Sequence, residues 1–431
     1  MHHFSYHHNV LCAEQTNLAQ LAADVGTPFY AYSTATLVRH YQVIDQSLAA
    51  LPHVVCYSMK ANSNQAVLAT LAQWGSGADV VSGGELARAL RAGVPAHKIV
   101  FSGVGKTPYE IAQALKAGIL QFNVESEPEL HAINTVAESM GVSAPIALRV
   151  NPDVDSESFS EKINTGKADT KFGIPLTDAK KIYAHAASMK NIKIVGVDMH
   201  IGSQILSLDP FRAAYQRLRD FVLALRADGH QLTYIDLGGG LGVPYEELHA
   251  PYENATANTP QPADLGKLVH EYFGDLGCTM IVEPGRAIVA NAGVLVTQVM
   301  YIKKTAHKNF IIVDAAMNDL IRPTLYEAYH EIWPVMKNDA AQKNLADVVG
   351  PVCETGDFLA QDRMMPDVQA GDFLAVMSAG AYGAVMAGTY NTRPLVPEVM
   401  VKGGDWAIIR PRQTVDALIG LDRMPGWLDQ G

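Results

Sequence analysis

The sequence predicts an α/β protein that consists of a (β/α)8 TIM barrel and a second, mostly antiparallel β domain. Between residues 53 and 283, eight short apolar or β-branched runs alternate with helical segments, and strands that alternate with helices pair in parallel. Eight such units in about 230 residues match a (β/α)8 barrel, with a doubly wound sheet as the alternative. After Gly285, short strands punctuated by glycine and proline predominate, which is typical of an antiparallel β domain.

The predicted domain boundaries follow this change of pattern. The barrel covers 34–284, and the β domain combines 285–431 with 1–33, because the β-type segment 27–32 is expected to add a strand to it. We expect a helix over 14–25 and another that begins at Ser33-Thr34, whose hydroxyl groups suit a helix cap, and ends near Ala50. The barrel strands are expected at 53–57, 78–81, 99–102, 120–124, 146–150, 194–200, 233–237 and 279–283, and strands of the β domain at 293–301, 310–314, 371–376 and 406–409.

The composition argues against a nucleic-acid or membrane partner. The net charge of the 431 residues is −11 and no run of 18 apolar residues occurs. The first residues lack the apolar core of a signal peptide. The four cysteines are widely spaced, which fits free thiols in a reducing compartment and neither a disulfide framework nor a zinc site. We therefore expect a cytoplasmic protein without a metal site.

The residues that follow the predicted strands form the candidate site, because active-site groups of a barrel lie at the C-terminal ends of its strands. Lys60 follows the first strand. Burial disfavours an ammonium unless it is paired or neutralised, and lysine amines form Schiff bases with carbonyl compounds; alternatively, Lys60 extends into solvent. Asp79 lies on the second strand, and His200 ends the sixth. His200 is either a core histidine or a ring that stacks on a cofactor.

A glycine-rich turn follows the seventh strand, and a carboxylate ends the eighth. Without Cβ atoms, the turn Gly238-Gly239-Gly240-Leu241-Gly242 could close its N–H groups on a phosphate; alternatively, it is a tight turn that requires positive φ angles. A P-loop nucleotide site is not expected, because that motif is missing. Glu283 would keep a pyridine nitrogen protonated, or it would pair with Arg286.

These motifs, in this order, resemble those of the fold-type III pyridoxal-phosphate decarboxylases, which have the alanine-racemase-like fold. The resemblance lies in the glycine turn and in Tyr57-Ser58-Met59-Lys60-Ala61-Asn62, His200-Ile201-Gly202-Ser203-Gln204 and Glu283-Pro284-Gly285-Arg286. Further segments are similar to the branch of this family that acts on meso-diaminopimelate. Within 164–174 these are Asn164-Thr165-Gly166-Lys167 and Lys171-Phe172-Gly173-Ile174. Later in the chain they are Arg322-Pro323-Thr324-Leu325-Tyr326, residues 350–357 and Ala379-Gly380-Ala381-Tyr382-Gly383.

The resemblance implies an enzyme that uses pyridoxal 5'-phosphate to convert meso-2,6-diaminopimelate into L-lysine and CO2, the last step of lysine biosynthesis. It implies three catalytic residues: Lys60 as the Schiff-base lysine, His200 stacked on the cofactor ring and Cys353 as a proton donor. Cofactor binding is implied for Lys60, Asp79, His200, Ser203, Gly239, Gly240, Glu283, Gly285, Arg286 and Tyr382. Substrate binding is implied for Arg286, Arg322, Tyr326, Glu354 and Tyr382.

The resemblance also implies a homodimer with shared active sites, in which Cys353 and Glu354 reach the barrel of the partner. Thr355 departs from the serine that the family commonly has after these two residues, but it keeps the hydroxyl group. One alternative is an ornithine or arginine decarboxylase of the same fold, which usually carries Cys-Asp in place of Cys353-Glu354. Another is a non-catalytic binding relative, which would lose cofactor-binding residues such as Lys60.

Overall fold

The computed structural model describes residues 2–156, 170–245 and 259–428. It forms two compact units, one of Leu37–Val289 and one that combines Met1–Thr36 with Ala290–Gly431. The sequence pattern alone sets these boundaries at 34 and 284. None of the helices in the described ranges is long and apolar enough to cross a membrane.

The chain begins with a small antiparallel sheet that precedes the first helix. Its strands are β1 (Phe4–His7), β2 (Val10–Ala13) and β3 (Thr16–Asn17). The helix α1 (Leu18–Val25) follows, and the Asn17 side chain caps it by accepting the N–H groups of Ala19 and Gln20. The predicted helix over 14–25 was therefore wrong in its first residues, because 16–17 pair with β2. The predicted strand at 27–32 is confirmed as β4 (Phe29–Ser33).

The unit 37–289 contains a closed barrel of eight parallel strands. All eight predicted strands are confirmed, and the pairing of the fifth with the fourth closes the circle, which excludes an open doubly wound sheet. The short strand β10 (Ile174–Pro175) lies beside the fifth. In chain order the barrel strands are β5 (His53–Ser58), β6 (Gly77–Val80), β7 (Ile99–Phe101), β8 (Gln121–Val124), β9 (Ala144–Asn151), β11 (Ile192–Asp198), β12 (Tyr234–Asp236) and β13 (Thr279–Val282).

Helices separate most of these strands, and side-chain caps start several of them. Asn64, Ser82, Thr107 and Ser126 each accept a hydrogen bond from a first-turn N–H group, and such a cap contributes about 0.5–2 kcal/mol. The helices are α2 (Thr34–Ser47), α3 (Gln65–Gln73), α4 (Gly83–Arg91), α5 (Pro108–Ala117), α6 (Glu127–Met140), α7 (Leu176–Ser188), α8 (Asp209–Ala227), α9 (Pro262–Phe273) and α10 (Arg286–Val289).

The other unit is built on a mostly antiparallel sheet, as predicted. β4 lies within this sheet, antiparallel to β14 (Gly293–Lys304) and parallel to β20 (Glu398–Lys402), so the N-terminal segment contributes a strand. The remaining elements are β15 (Asn309–Val313), α11 (Arg322–Tyr326), β16 (Ile332–Pro334), β17 (Lys343–Val349), β18 (Phe358–Pro366), β19 (Phe373–Val376), β21 (Asp405–Arg410) and α12 (Val415–Ile419).

The close approach of two barrel strands yields a prediction about stability. A Cβ atom added at Gly77 on β6 would lie 2.2 Å from the carbonyl oxygen of Lys98 and 3.0 Å from the Cys56 Sγ atom. Because a strand backbone cannot move aside without disturbing its neighbours, we expect Gly77→Ala to lower the free energy of unfolding by about 1–3 kcal/mol. The midpoint of urea unfolding measures this loss.

Gly105→Ala is the matched control, because no atom lies within 4 Å of an added Cβ there. This variant should unfold at the same urea concentration as the wild-type protein. Equal midpoints for the two alanine variants would contradict the packing argument.

Candidate active site

Lys60 is paired with a buried carboxylate at the C-terminal edge of the barrel. It lies in a 3₁₀ turn, Met59–Ala61, that directly follows β5. Its Nζ atom donates to Asp79 Oδ2 at 2.9 Å, and Ser58 Oγ donates to the same oxygen at 2.5 Å. The side chain of Asp79 is fully buried, whereas that of Lys60 is 36% exposed. The amine is therefore held by a fixed anion and can still be reached from solvent.

The ion pair sets the charge of Asp79. Burial by itself would raise the pKa of this carboxyl, but the Lys60 ammonium and the Ser58 hydroxyl outweigh burial and hold the pKa below its ordinary value. Asp79 is consequently ionised at neutral pH.

His200 is held as a neutral ring. Its Nδ1 atom accepts a hydrogen bond from the Gly239 N–H at 3.1 Å, so Nε2 carries the proton of the neutral imidazole. Burial lowers the pKa of His200 well below its usual value, and the positive charges of Arg149 and Lys60 lower it further. The structure therefore places a ring without charge beside the glycine turn.

The glycine turn needs its glycines for two reasons. Gly238 and Gly240 have φ angles of +64° and +110°, which strongly favour glycine. A Cβ at Gly239 would lie 2.3 Å from the carbonyl oxygen of Glu283, so this residue must also lack a side chain. The tight turn that the sequence offered as an alternative is thus present, and phosphate binding by the same turn stays a prediction.

Arg286 connects the loops that follow β11 and β12. This buried arginine, at the start of α10, donates from Nε and Nη2 to Ser203 Oγ at 3.3 and 3.0 Å. Its Nη1 atom donates to the Tyr245 hydroxyl at 2.7 Å. The sequence analysis missed Tyr245, since it lies beyond the glycine turn without a motif of its own. A Cβ atom at Gly285 would lie 3.0 Å from the Cβ atom of Ser58. Glycine at this position therefore allows α10 to begin beside the 3₁₀ turn that contains Lys60.

Glu283 is buried among other polar side chains of the barrel interior. Ser102 Oγ and Asn123 Nδ2 each lie 3.3 Å from its Oε1 atom. Carboxylate oxygens of Asp198, Asp236 and Glu283 lie within 4.8 Å of one another. Burial raises the pKa of Glu283 well above its usual value, and the negative charge of Asp236 raises it further. The sequence analysis missed Asn123 and Asp198, although a polar residue near the end of an apolar strand is a signal that could have identified them.

The other predicted residues lie in the unit 1–36 and 290–431. Arg322, at the start of α11, is buried and its Nη1 atom donates to His330 Nε2 at 2.7 Å. His330 was not predicted; its Nδ1 atom lies 2.8 Å from the Met377 carbonyl oxygen. Tyr326 ends α11 and is half-buried. Tyr382 is half-buried and has a positive φ of 55°.

Cys353 and Glu354 are exposed on a loop of the same unit. Asp357 holds this loop, because it accepts the N–H groups of Met317 and Val352 at 2.7 and 2.6 Å. Thr324 of α11 also donates to the Gly356 carbonyl oxygen at 2.6 Å. The loop is therefore fixed to the helix that begins with Arg322. Of the motif segment 164–174, residues 164–169 lie outside the described residues.

The Lys60–Asp79 pair yields a prediction about stability and pH. Lys60→Met leaves Asp79 as an unpaired buried carboxylate. We expect a loss of about 1–3 kcal/mol at neutral pH, less than for a fully buried pair because Lys60 is 36% exposed. The pKa of Asp79 is lowered in the folded protein, so the stabilisation is present above about pH 4 and disappears as the pH falls through the folded-state pKa. Thermal unfolding of cofactor-free protein between pH 3 and 7 measures it.

The control is Lys60→Met combined with Asp79→Asn, which removes the unpaired charge. The double variant should regain much of the lost stability and should lose the pH dependence of the difference. If it is no more stable than the single variant, the loss comes from the packing of the lysine chain and not from the ion pair.

Comparison with known proteins places this barrel among pyridoxal enzymes. Residues 34–290 match the pyridoxal binding domain of the pyridoxal-dependent decarboxylases. The diaminopimelate decarboxylase of Vibrio cholerae is 49% identical over 425 residues, which cover 98% of this chain and 99% of the relative. The enzyme of the same name from Zymomonas mobilis is 47% identical over 431 residues, which cover 99% of each chain.

Solved structures agree with this assignment over the whole chain. The crystal structure of diaminopimelate decarboxylase from Helicobacter pylori in complex with L-lysine has a TM-score of 0.89 and 40% identity, and covers 94% of this chain and 99% of that one. The corresponding structure from M. jannaschii, also with L-lysine, has a TM-score of 0.92 and 35% identity, and the match covers 99% of this chain and 98% of that one. The chain thus belongs to the diaminopimelate decarboxylase family of pyridoxal-dependent decarboxylases, and its barrel and β domain have the alanine-racemase-like fold of that family.

Proposed function

We propose that this protein decarboxylates meso-2,6-diaminopimelate to L-lysine and CO2 with pyridoxal 5'-phosphate as its cofactor. The main observation behind the proposal is that Lys60 is accessible and paired with a carboxylate at one edge of the barrel. His200, the glycine turn and Glu283 lie at the same edge. Near 50% identity to enzymes named for this reaction supports it. The two solved relatives hold L-lysine, which is the product of the proposed reaction.

The described residues fit pyridoxal phosphate. Lys60 offers an amine that the cofactor aldehyde can reach, and Asp79 lies beside it as a counter-charge. Gly239 and Gly240 have no side chains that would obstruct a phosphate beside the turn, and Ser203 and Arg286 bring hydrogen-bond donors for it. When bound, the cofactor supplies an electron sink for the carbanion that loss of CO2 leaves.

The barrel residues then have distinct roles. Lys60 would hold the cofactor through its side-chain amine, and Asp79 would act as the counter-charge of the Lys60 ammonium. His200 would offer a neutral ring to the cofactor ring and would add no charge there. Glu283 would hold the ring nitrogen of the cofactor. Gly239, Gly240 and Gly285 permit the close backbone approaches around the cofactor, and Tyr382 of the β domain contributes a further contact.

The substrate is recognised by residues that suit its distal amino acid group. Diaminopimelate carries a carboxylate and an ammonium at the end that does not react. Arg322 binds the distal carboxylate, because a guanidinium matches it bidentately, and Glu354 binds the distal ammonium. Arg286 and Tyr326 complete the substrate contacts. Cys353, an exposed thiol, delivers the proton that replaces the lost carboxylate.

The working enzyme is a homodimer in which Cys353 and Glu354 of one chain serve the barrel site of the partner. The exposure of both residues on a loop anchored by Asp357 supports this arrangement. All four cysteines are free thiols, consistent with a cytoplasmic location. The net charge of −11 gives no support to a nucleic-acid partner.

Product analysis tests the proposed reaction. The purified protein, loaded with pyridoxal phosphate, should release CO2 and L-lysine from meso-diaminopimelate. It should act on ornithine and arginine at least about a hundredfold more slowly, because both lack the distal carboxylate that we assign to Arg322 and lose that charged contact, at a cost of about 3–5 kcal/mol. Comparable CO2 release from ornithine or arginine would contradict the substrate assignment, and no CO2 from any of the three would indicate a non-catalytic relative.

Mixing two inactive variants tests the shared site. Cys353→Ala should keep the cofactor but lose roughly 10²–10⁴ in turnover, and Lys60→Ala should be nearly inactive. After subunit exchange about half of the dimers are mixed, and each has one site with both residues, so activity should return to about a quarter of the wild-type value.

The control mixture combines Lys60→Ala with Glu283→Gln. Both substitutions lie in the barrel, so no mixed dimer has an intact site and activity should stay low. If exchange is verified by differently tagged chains and the Cys353→Ala mixture also stays inactive, Cys353 does not act at the partner's barrel.

A further inference from the structure

Two helices of the barrel unit bring two histidines and a glutamate together on the protein surface. Glu127 and His131 lie one turn apart on α6, so their side chains extend from the same face of that helix. His185 lies in the last turn of α7. Its Nδ1 atom is 2.7 Å from the Oε1 atom of Glu127, across 58 positions of the chain. The cluster therefore arises from the fold and leaves no motif in the sequence.

The spacing of the three side chains is close to that of metal ligands. The ring centroids of His131 and His185 lie 5.0 Å apart, with the ring planes at 66° to each other. One possible ligand atom from each of Glu127, His131 and His185 lies within 4.8 Å of the other two. Bonds of about 2.0–2.2 Å in a tetrahedral zinc site place neighbouring ligand atoms about 3.3 Å apart. Movements of at most about 1.5 Å, which exposed side chains make by rotation, therefore suffice.

The chemical character of the three donors favours a particular class of ion. Two imidazole nitrogens and one carboxylate oxygen suit zinc and its neighbours among the transition metals, whereas magnesium and calcium prefer oxygen ligands. Three protein ligands leave one tetrahedral position for water. Because Glu127 and His131 are exposed and His185 is half-buried, an ion and its water can reach the three side chains directly from solvent.

The interaction that a metal ion would replace is weak. Glu127 and His185 form an ion pair only when the imidazole is protonated, and their side chains are 46% and 39% exposed. Solvent screens a pair with this exposure, so the pair adds little to stability. A divalent ion offers the carboxylate of Glu127 twice the charge of an imidazolium, and it also gains the ring of His131 as a ligand.

The electrostatic surroundings accept a cation. His185 lies near the C-terminal end of α7, where the helix dipole favours positive charge. Glu127 lies in the first turn of α6, where the dipole opposes a cation, but its own carboxylate compensates for this effect. The net charge of the chain, −11, attracts cations in general.

We propose that Glu127, His131 and His185 form a binding site for Zn²⁺, which joins α6 to α7 at the surface of the protein. None of the three ligands belongs to the cofactor or substrate residues, so the bound ion stabilises the fold and takes no part in decarboxylation. None of them is a cysteine either, which is why the widely spaced cysteines gave no sign of a metal site.

Calorimetric titration with zinc chloride tests the site. The full-length protein is used without an affinity tag, with its cofactor bound and after contaminating metal has been removed by a chelator. His131→Gln is the most informative variant, because it removes one ligand and keeps the ion pair between Glu127 and His185. It should bind this zinc ion more weakly than the wild-type protein by more than about 10–100-fold, the loss that follows when only an outer-shell partner of a metal ligand is removed. Glu127→Gln and His185→Gln should show losses of the same order.

His97→Gln and Glu138→Gln are the matched controls. His97 lies in a 3₁₀ turn and Glu138 lies on α6; both are exposed and neither belongs to the cluster. Both variants should bind zinc as the wild-type protein does. The histidines at the start of the chain are common to all of these proteins, so any zinc bound there cancels in the comparison. Magnesium chloride should give the same result with wild-type protein and His131→Gln.

Thermal unfolding gives a second measurement. A ligand that binds only the folded state raises its stability, so zinc should raise the unfolding midpoint of the wild-type protein by about 2–5 °C more than that of His131→Gln. Without zinc the two proteins should unfold at the same temperature, because His131 is exposed. A difference with zinc therefore reports the metal ion and not a folding defect.

Two results would overturn the proposal. Equal zinc affinity of the wild-type protein, His131→Gln and His185→Gln would leave the cluster as a surface ion pair only. An equal loss of affinity in His97→Gln would show that the effect is not specific to these three residues. Neither measurement uses diaminopimelate, so both outcomes are independent of the proposed reaction.

Discussion

The balance of buried charge at the C-terminal edge of the barrel is the constraint on which the candidate site depends. Closure of the barrel brings the ends of all eight strands to one edge, and acidic side chains follow several of them. Lys60 and Arg149 each neutralise one carboxylate there. Burial raises the pKa values of the remaining acids Asp198, Asp236 and Glu283, so the charge of this edge depends on how deeply the closed barrel buries them.

The same edge also demands close approach of backbone segments. Gly239 lies against the end of β13, and Gly285 lies against the turn that carries Lys60. A side chain at either place would separate segments that must lie together. Steric constraint and charge balance therefore act on the same few loops, and these loops carry most of the residues that we assign to the cofactor.

In the β domain, hydrogen bonds position the residues that we assign to the substrate. Arg322 is held by a buried histidine, and the loop with Cys353 and Glu354 is held by the backbone hydrogen bonds of Asp357. In both cases a residue to which we assign no chemical role holds, by hydrogen bonds, the segment or side chain of a residue to which we assign one. This supports a site whose groups are positioned before the substrate arrives, which lowers the entropy cost of binding.

The sequence by itself determined the elements of the fold and the residues of the motifs. Alternation of apolar runs with helices predicted all eight barrel strands, and the short strands after Gly285 predicted the β domain, because both are local patterns. Lys60, the glycine turn and Glu283 were found for the same reason: each directly follows a strand. The helix expected over 14–25 failed at its start, since pairing of 16–17 with β2 is a tertiary contact that local propensity does not encode.

Only the tertiary structure decided how these residues are paired and charged. Asp79 binds Lys60 across 19 positions, Gly239 binds His200 across 39, and Asn123 reaches Asp236 across 113. The position of Asn123 near a strand end could have marked it as a candidate, but the local sequence does not reveal the partners of Asn123, Tyr245 or His330, because these contacts arise when distant segments become neighbours. The raised pKa of Glu283 depends on burial and on the nearby charge of Asp236, so it follows from the closed barrel and not from the order of residues along the chain.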